Sequence, residues 1–243
     1  MKHGDRLSQD SALTALNAAI FWADPPVLGI SVAAFIDNNA IDDSALVNYL
    51  AARERDKARL ITDSVEKRHF ILRRCFQRIF VKTMLNWQHE LSELSIEHQL
   101  DTQPRCLDAP DLRLSFSSSG FTAVACASSQ FTVGVDIEKQ RTIVNLAALT
   151  ERFFSLFEAQ SIAALPVCDQ NVAFLKHWTA KEAGLKAIGK GIVSGLNSFV
   201  LKSQNNIYNI DFVNEFKNST TWRVNYLNFV PDHIVAVVHN LEK

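Results

Sequence analysis

The 243-residue chain has few of the residues that mark specialised small folds: four cysteines, eight glycines, six prolines and two methionines. The cysteines, at 75, 106, 126 and 168, stand far apart. No CxxC pair or Cys/His cluster occurs, which argues against a zinc site. The N-terminal MKHGDRLSQD leads into a mixed polar segment, not an apolar run with a cleavage site, so free thiols in a cytoplasmic protein are expected. Long hydrophobic runs are also missing. The longest, Val27–Ile36, is about half of what a bilayer crossing needs, so no membrane span is expected. Neither sign of charge dominates: the net charge of −1 gives no global attraction to nucleic acid or acidic membranes.

What remains has a globular composition, 47% hydrophobic and 21% charged, and enough chain for one large domain or two small ones. Charge is uneven within it. Residues 53–82 hold ten Lys/Arg against four acids, a +6 segment in a chain otherwise at −7. The apolar spacing predicts helices over 9–22, Asp43–Asp63, Glu66–Trp87, Val144–Leu165 and Val172–Ile188. Strands are predicted over 27–36, Leu112–Ser117, Thr122–Ala127, Phe131–Ile137, Phe199–Lys202, Tyr208–Val213, Trp222–Phe229 and Ile234–His239. The stretch 99–113, with Pro104 and Pro110, reads as the linker. Strands and helices in separate runs point to an α+β fold rather than a doubly wound sheet.

Three places carry chemistry. In GVDIEK (134–139) strand alternation puts Asp136 and Glu138 on one face and Val135 and Ile137 on the other. Paired carboxylates repel, and a divalent cation such as Mg²⁺ would relieve them; two solvated acids at a strand end is the plainer reading. In FLKHWTAKEAGLKAIGKG (174–191) an apolar stripe of Phe174, Trp178, Leu185 and Ile188 is interrupted by Glu182, with Lys186 one turn on. An exposed Glu–Lys pair would explain this at roughly 0.3–0.5 kcal/mol. A metal shared with Asp136 and Glu138, with Lys186 facing a phosphate, explains it better. Gly189 suits a left-handed helix end, and with Gly191 would let a ligand approach the backbone. Third, Arg74, Arg78 and Lys82 recur at four-residue steps, either a solvated face or a phosphate-binding wall. Together these suggest metal-assisted chemistry on a phosphate ester or anhydride.

These residues resemble the 4′-phosphopantetheinyl transferases of the longer, synthase-activating type. The family signature G-[IV]-D-[IV]-E is present as GVDIE, and W-[ST]-x-K-E-[AS]-x-x-K-x-x-G-x-G as WTAKEAGLKAIGKG, with RFFSLFE (152–158) between them and a looser match at KRHFILRRCFQR (67–78). The resemblance implies a pseudo-dimer of two similar halves, each an antiparallel sheet packed with helices. The halves would be 1–108, carrying the phosphate wall, and 109–243, carrying the carboxylates and catalytic helix. It implies transfer of the 4′-phosphopantetheine arm of coenzyme A to a serine of an apo acyl or peptidyl carrier protein. By the same resemblance, Asp136, Glu138 and Glu182 would hold Mg²⁺, and Glu182 and Lys186 would be catalytic. Arg68, Arg74, Arg105, Ser117, Ser118, Lys181 and Lys186 would contact coenzyme A. A monomer is expected, since one chain would complete the site. Two family stretches depart: G-[KR]-P reads TQPR (102–105), with Gln103 at the basic position, and S-H-[ST] falls in LSFSSSG (114–120), which has no histidine. Rival readings are another Mg²⁺-dependent phosphoryl-transfer enzyme and a non-catalytic relative that binds carrier protein or coenzyme A.

Overall fold

The computed structural model describes residues 3–25, 29–37, 39–99, 102–190, 195–204, 207–212 and 221–241. In chain order the elements are α1 (His3–Ala18), β1 (Ile20–Trp22), β2 (Ser31–Ile36), α2 (Asp43–Leu46), α3 (Ala52–Leu60), α4 (Ser64–Leu85), β3 (Ile96–Glu97), β4 (Arg105–Cys106), β5 (Arg113–Ser119), β6 (Thr122–Ser128) and β7 (Val133–Lys139). Then follow α5 (Leu146–Phe153), α6 (Leu156–Ala163), α7 (Val167–Ala187), β8 (Phe199–Gln204), β9 (Ile207–Phe212), β10 (Trp222–Leu227) and β11 (His233–Asn240).

Two antiparallel sheets result, ordered β1-β2-β6-β5-β4-β3 and β7-β11-β10-β9-β8, so the fold is α+β as expected. Each half has one long helix across its sheet. α4 starts at Asp63, whose carboxylate accepts from the Glu66 amide, and ends at Asn86 in the left-handed conformation. It buries Phe76 and Phe80 with Phe35, Leu114, Ala123 and Ala125 of the first sheet. α7 lays Ala180, Ala183 and Ala187 on Ala236 and Val238 of the second. The sheets meet through their other faces: Val32, Ala34, Val124 and Cys126 pack on Val133, Val135, Ile137, Val235 and Val237. β2 and β6 are thus covered on both sides, which is why they read as nearly continuous apolar runs.

The boundary at 108/109 is corrected by this topology. β5 pairs with β6, and β6 with β2, so residues 113–128 complete the first sheet and the crossing to the second falls at 129–132. Pro104 precedes β4 and Pro110 lies in the short step from β4 into β5, both within the first sheet rather than in a link between halves. Two expected helices are broken. Asp43–Asp63 is interrupted at Leu50 and Ala51, both extended, where the Glu54 carboxylate accepts from the Ala51 amide and restarts the helix as α3. Val144–Leu165 is interrupted at Ser155, which forms a capping box with Glu158. Residues 27, 28, 191 and 213 of the expected elements and motifs lie outside the described residues.

Candidate active site

The site lies on the seam between the sheets. β7 pairs with β11 on one side only, leaving the Val135 and Lys139 amides on its other edge without a strand partner. Three alternate serines of β5 face that edge. Val135 N donates to Ser115 Oγ at 3.0 Å, and Lys139 N to Ser119 Oγ at 3.1 Å. Between them, Ser117 Oγ donates to Asp136 Oδ1 at 2.6 Å. A side-chain ladder of hydroxyls therefore replaces a backbone one and leaves room for the carboxylate.

Glycine brings α7 close. A Cβ at Gly134 would stand 2.0 Å from the Ala183 carbonyl oxygen and 2.5 Å from the Ala187 amide nitrogen, so α7 rests directly on β7. That contact puts Lys186 Nζ 2.6 Å from Asp136 Oδ1 and 2.7 Å from Ser117 Oγ. From the first half, Gln103 Nε2 donates to the carbonyls of Lys186 and Ala187, both at 2.9 Å, and of Val133 at 3.1 Å. The Lys186 and Ala187 carbonyls are among the last of α7, beyond the reach of its i,i+4 ladder, and Val133 starts β7. Gly189, at φ +68, turns the chain away, as its place in the motif predicts.

Charge at the seam is unbalanced. Asp136 is buried, and its Oδ2 finds no hydrogen-bond partner in the protein. Burial, then repulsion by Asp136, pushes the Glu138 carboxyl above its ordinary range. Burial, then the Asp136 charge, pushes Glu182 up to about 7, with Lys186 and the Trp178 hydrogen bond pulling the other way. Three carboxylates thus influence one another around one ammonium. Among the described residues no three His, Cys, Asp or Glu side chains are gathered tightly enough to cage an ion. The orphaned Asp136 oxygen and the hard-oxygen donor set do fit Mg²⁺, which holds few protein carboxylates and keeps water and phosphate oxygens.

Beside the seam opens a cleft of about 330 Å³, lined by Lys57, Arg73, Arg74, His98, Ser117 and Ser118 among others. Ser117 belongs to both cleft and carboxylate cluster. Arg74 and Ser118, both expected to contact coenzyme A, line this cleft. Arg73 donates to Ser118 Oγ at 3.0 Å and is the residue the four-step series overlooked. Its signal was helical spacing: 70, 73, 74 and 77 share a face of α4, and Phe70 and Gln77 also line the cleft.

Other expected contacts are turned elsewhere. Lys181 is fully buried and spends its ammonium on Glu158 Oε2 at 2.8 Å and the Leu196 and Phe199 carbonyls at 2.9 Å each. With its donors taken inside the core, it has none left for coenzyme A. Arg68 forms ion pairs with Asp37 and Asp43, both at 2.8 Å, and caps the Ile41 carbonyl. It neutralises a buried carboxylate rather than facing the cleft. Arg78 is sealed against Glu54 and the Leu91 and Leu94 carbonyls, so the Arg74–Arg78–Lys82 series is not one wall. Arg105 is exposed because its β4 neighbour Cys106 takes the buried direction, and it is not among the residues lining the cleft.

A carboxylate and lysine centre lies at the junction of two helix-on-sheet halves and opens on a cationic cleft, an arrangement whose chemistry suits a phosphate-bearing ligand. Residues 132–238 match the model of the 4′-phosphopantetheinyl transferase superfamily. The chain is 27% identical over 159 residues to the 4′-phosphopantetheinyl transferase ffp of Bacillus subtilis, covering 65% of this chain and 68% of that protein. It is 26% identical over 163 residues to the 4′-phosphopantetheinyl transferase Sfp of Bacillus subtilis strain 168, covering 66% and 70%. Over 112 residues it is 34% identical to the 4′-phosphopantetheinyl transferase psf-1 of Bacillus pumilus, covering 46% and 47%. Over the matched residues the chain is similar to the 4′-phosphopantetheinyl transferase superfamily, and the relatives named here are enzymes of that type.

Proposed function

We propose that the chain moves the 4′-phosphopantetheine arm of coenzyme A onto a serine hydroxyl of an apo acyl or peptidyl carrier protein, with 3′,5′-ADP as the other product and Mg²⁺ as the metal. The observation that carries this reading is the Asp136–Ser117–Lys186 cluster at the end of a cationic cleft. Asp136, Glu138 and Glu182 would hold Mg²⁺, which supplies charge neutralisation to the pyrophosphate of the bound substrate. Arg73, Arg74 and Ser118 bind the nucleotide end in the cleft. Lys186 orients the pyrophosphate and offsets charge on the departing phosphate. Glu182, the carboxylate that α7 brings to the seam, takes up the proton of the incoming serine. The serine Oγ–P bond forms as the P–O bond to 3′,5′-ADP breaks.

The test follows product by chromatography. Wild-type protein with Mg²⁺, coenzyme A and an apo carrier should release 3′,5′-ADP only when the carrier serine is present. Glu182→Gln should lose most of that release while keeping its melting temperature. Release without a carrier would instead favour hydrolysis, and near-normal release by Glu182→Gln would overturn the role given to that carboxylate.

A further inference from the structure

A single side-chain amide ties the two halves together beside the seam. Gln103 stands between β3 and β4 of the first half and is half-buried. Its Nε2 lies 2.9 Å from the Lys186 and Ala187 carbonyl oxygens and 3.1 Å from that of Val133. An amide nitrogen carries two protons, so the three acceptors share them. Two of those acceptors sit at the negative end of a long helix, a place that favours donors. The turn after α7 closes over the same group. Gly189 N donates to Lys186 O at 3.1 Å, and Lys190 N to Leu185 O at 2.9 Å. A Cβ on Gly189 would stand 3.7 Å from Gln103 Cγ, an ordinary packing distance. The Lys186 carbonyl therefore accepts from both sides, from its own turn and from the other half.

Helix ends fray, and the last turn of α7 is the one that carries Lys186. Its Nζ stands 2.6 Å from Asp136 Oδ1 and 2.7 Å from Ser117 Oγ, at the end of a long and part-exposed side chain. The bond from Gln103 to the lysine's own carbonyl fixes the backbone from which that side chain springs. The family stretch has a basic residue at this place. Here both amide protons are spent on carbonyls, and the remaining amide oxygen would repel a phosphate. We propose that Gln103 is a positioning residue: it fastens the last turn of α7 to β7 and to the first half, and so sets where the Lys186 ammonium stands during transfer. This rests on the transferase reading above. The role predicts an effect on turnover and little effect on coenzyme A affinity.

Three substitutions test it: Gln103→Ala, Gln103→Glu and Gln103→Lys. Alanine removes the tie, glutamate sets acceptors against acceptors, and lysine restores donors with a charge that suits a helix C-terminus. The measurements are kcat for carrier modification, calorimetric coenzyme A binding, and amide exchange at Gly189 and Lys190. Gln103→Ala should lose about 10-fold in kcat, a part of what a 1 Å misplacement costs, and Gln103→Glu at least as much. Gln103→Lys should stay within about 3-fold of wild type, and coenzyme A affinity should move less than about 3-fold in all three. Exchange at Gly189 and Lys190 should quicken with alanine and glutamate but not with lysine. Wild-type turnover or exchange in Gln103→Ala overturns the proposal. So does a coenzyme A affinity that follows the charge at 103 while kcat stays constant, which would make the residue a substrate contact. A wild-type protein that modifies no carrier fails the transferase reading, a result separate from unchanged exchange in Gln103→Ala.

Discussion

Gly134→Ala is the substitution that tests the construction of the site most sharply. The added methyl would stand 2.0 Å from the Ala183 carbonyl oxygen and 2.5 Å from the Ala187 amide nitrogen. Both are backbone atoms of a helix, so no side chain can swing aside. Ordinary contact begins near 3.4 Å, and α7 must retreat by about 1.4 Å at that point. Ala183 follows Glu182 and Ala187 follows Lys186, so the displacement reaches both groups directly. Overpacking of this kind costs about 1–3 kcal/mol, which lowers the melting temperature of a chain this size by several degrees. Misplacing catalytic groups by ~1 Å costs on the order of 100-fold in rate. We therefore expect carrier modification to fall about 100-fold while the protein remains folded at 25 °C, measured by a stopped time course beside thermal unfolding. A variant within a few-fold of wild-type rate would refute the claim that the α7–β7 approach sets the geometry.

Further outcomes follow from the reassigned charges. Lys181→Met leaves the buried Glu158 carboxylate without its cation and should cost about 3–5 kcal/mol in denaturant unfolding, with unchanged coenzyme A affinity in the folded protein; weaker binding at full stability would return Lys181 to the substrate. In Asp37, burial raises the carboxyl, but hydrogen bonds from Arg68 and the Asn39 amide and the Arg68 charge hold it below its ordinary range. That stability is present above the unfolded carboxylate pKa and is lost as pH falls through the lower folded value, so Arg68→Ala should be less stable at pH 7 and lose less on acidification. Glu182 has the opposite sign. Its folded pKa of about 7 lies above the ordinary 4.5, so without metal its contribution is full below 4.5 and is lost as pH rises through 7. Unfolding in chelator at pH 6 and 8 should show that decline in wild type and a smaller one in Glu182→Gln; equal slopes would contradict the raised pKa.

The parts of the site legible in the sequence were those with a local period. Alternation in GVDIEK placed Asp136 opposite Val135 and Ile137, and β7 shows that arrangement, with Val135 and Ile137 in the core between the sheets. The interrupted stripe around Glu182 identified a carboxylate near Asp136, whose charge Glu182 now feels. What failed depended on partners distant in sequence. Lys181 stands next to Glu182, but a helix turns by about 100° per residue, and that rotation aims its ammonium at Glu158 rather than at the seam. Arg68 looked like part of a basic face because Asp37, 31 residues away, was not visible as its partner. The serines of β5 were expected to meet phosphate; their alternation at 115, 117 and 119 was the sign that they share one face, here turned to the open edge of β7. Two helix breaks were also readable, since Ser155 with Glu158 is a capping pair inside RFFSLFE.

The central claim is group transfer at the seam, and intact-mass measurement of an apo carrier protein after incubation with the chain, coenzyme A and Mg²⁺ tests it most directly. The account predicts a gain of one phosphopantetheine arm on the carrier serine, absent with Asp136→Ala and absent when that serine is replaced by alanine. A panel of apo carriers that stays unmodified while coenzyme A remains intact would contradict it.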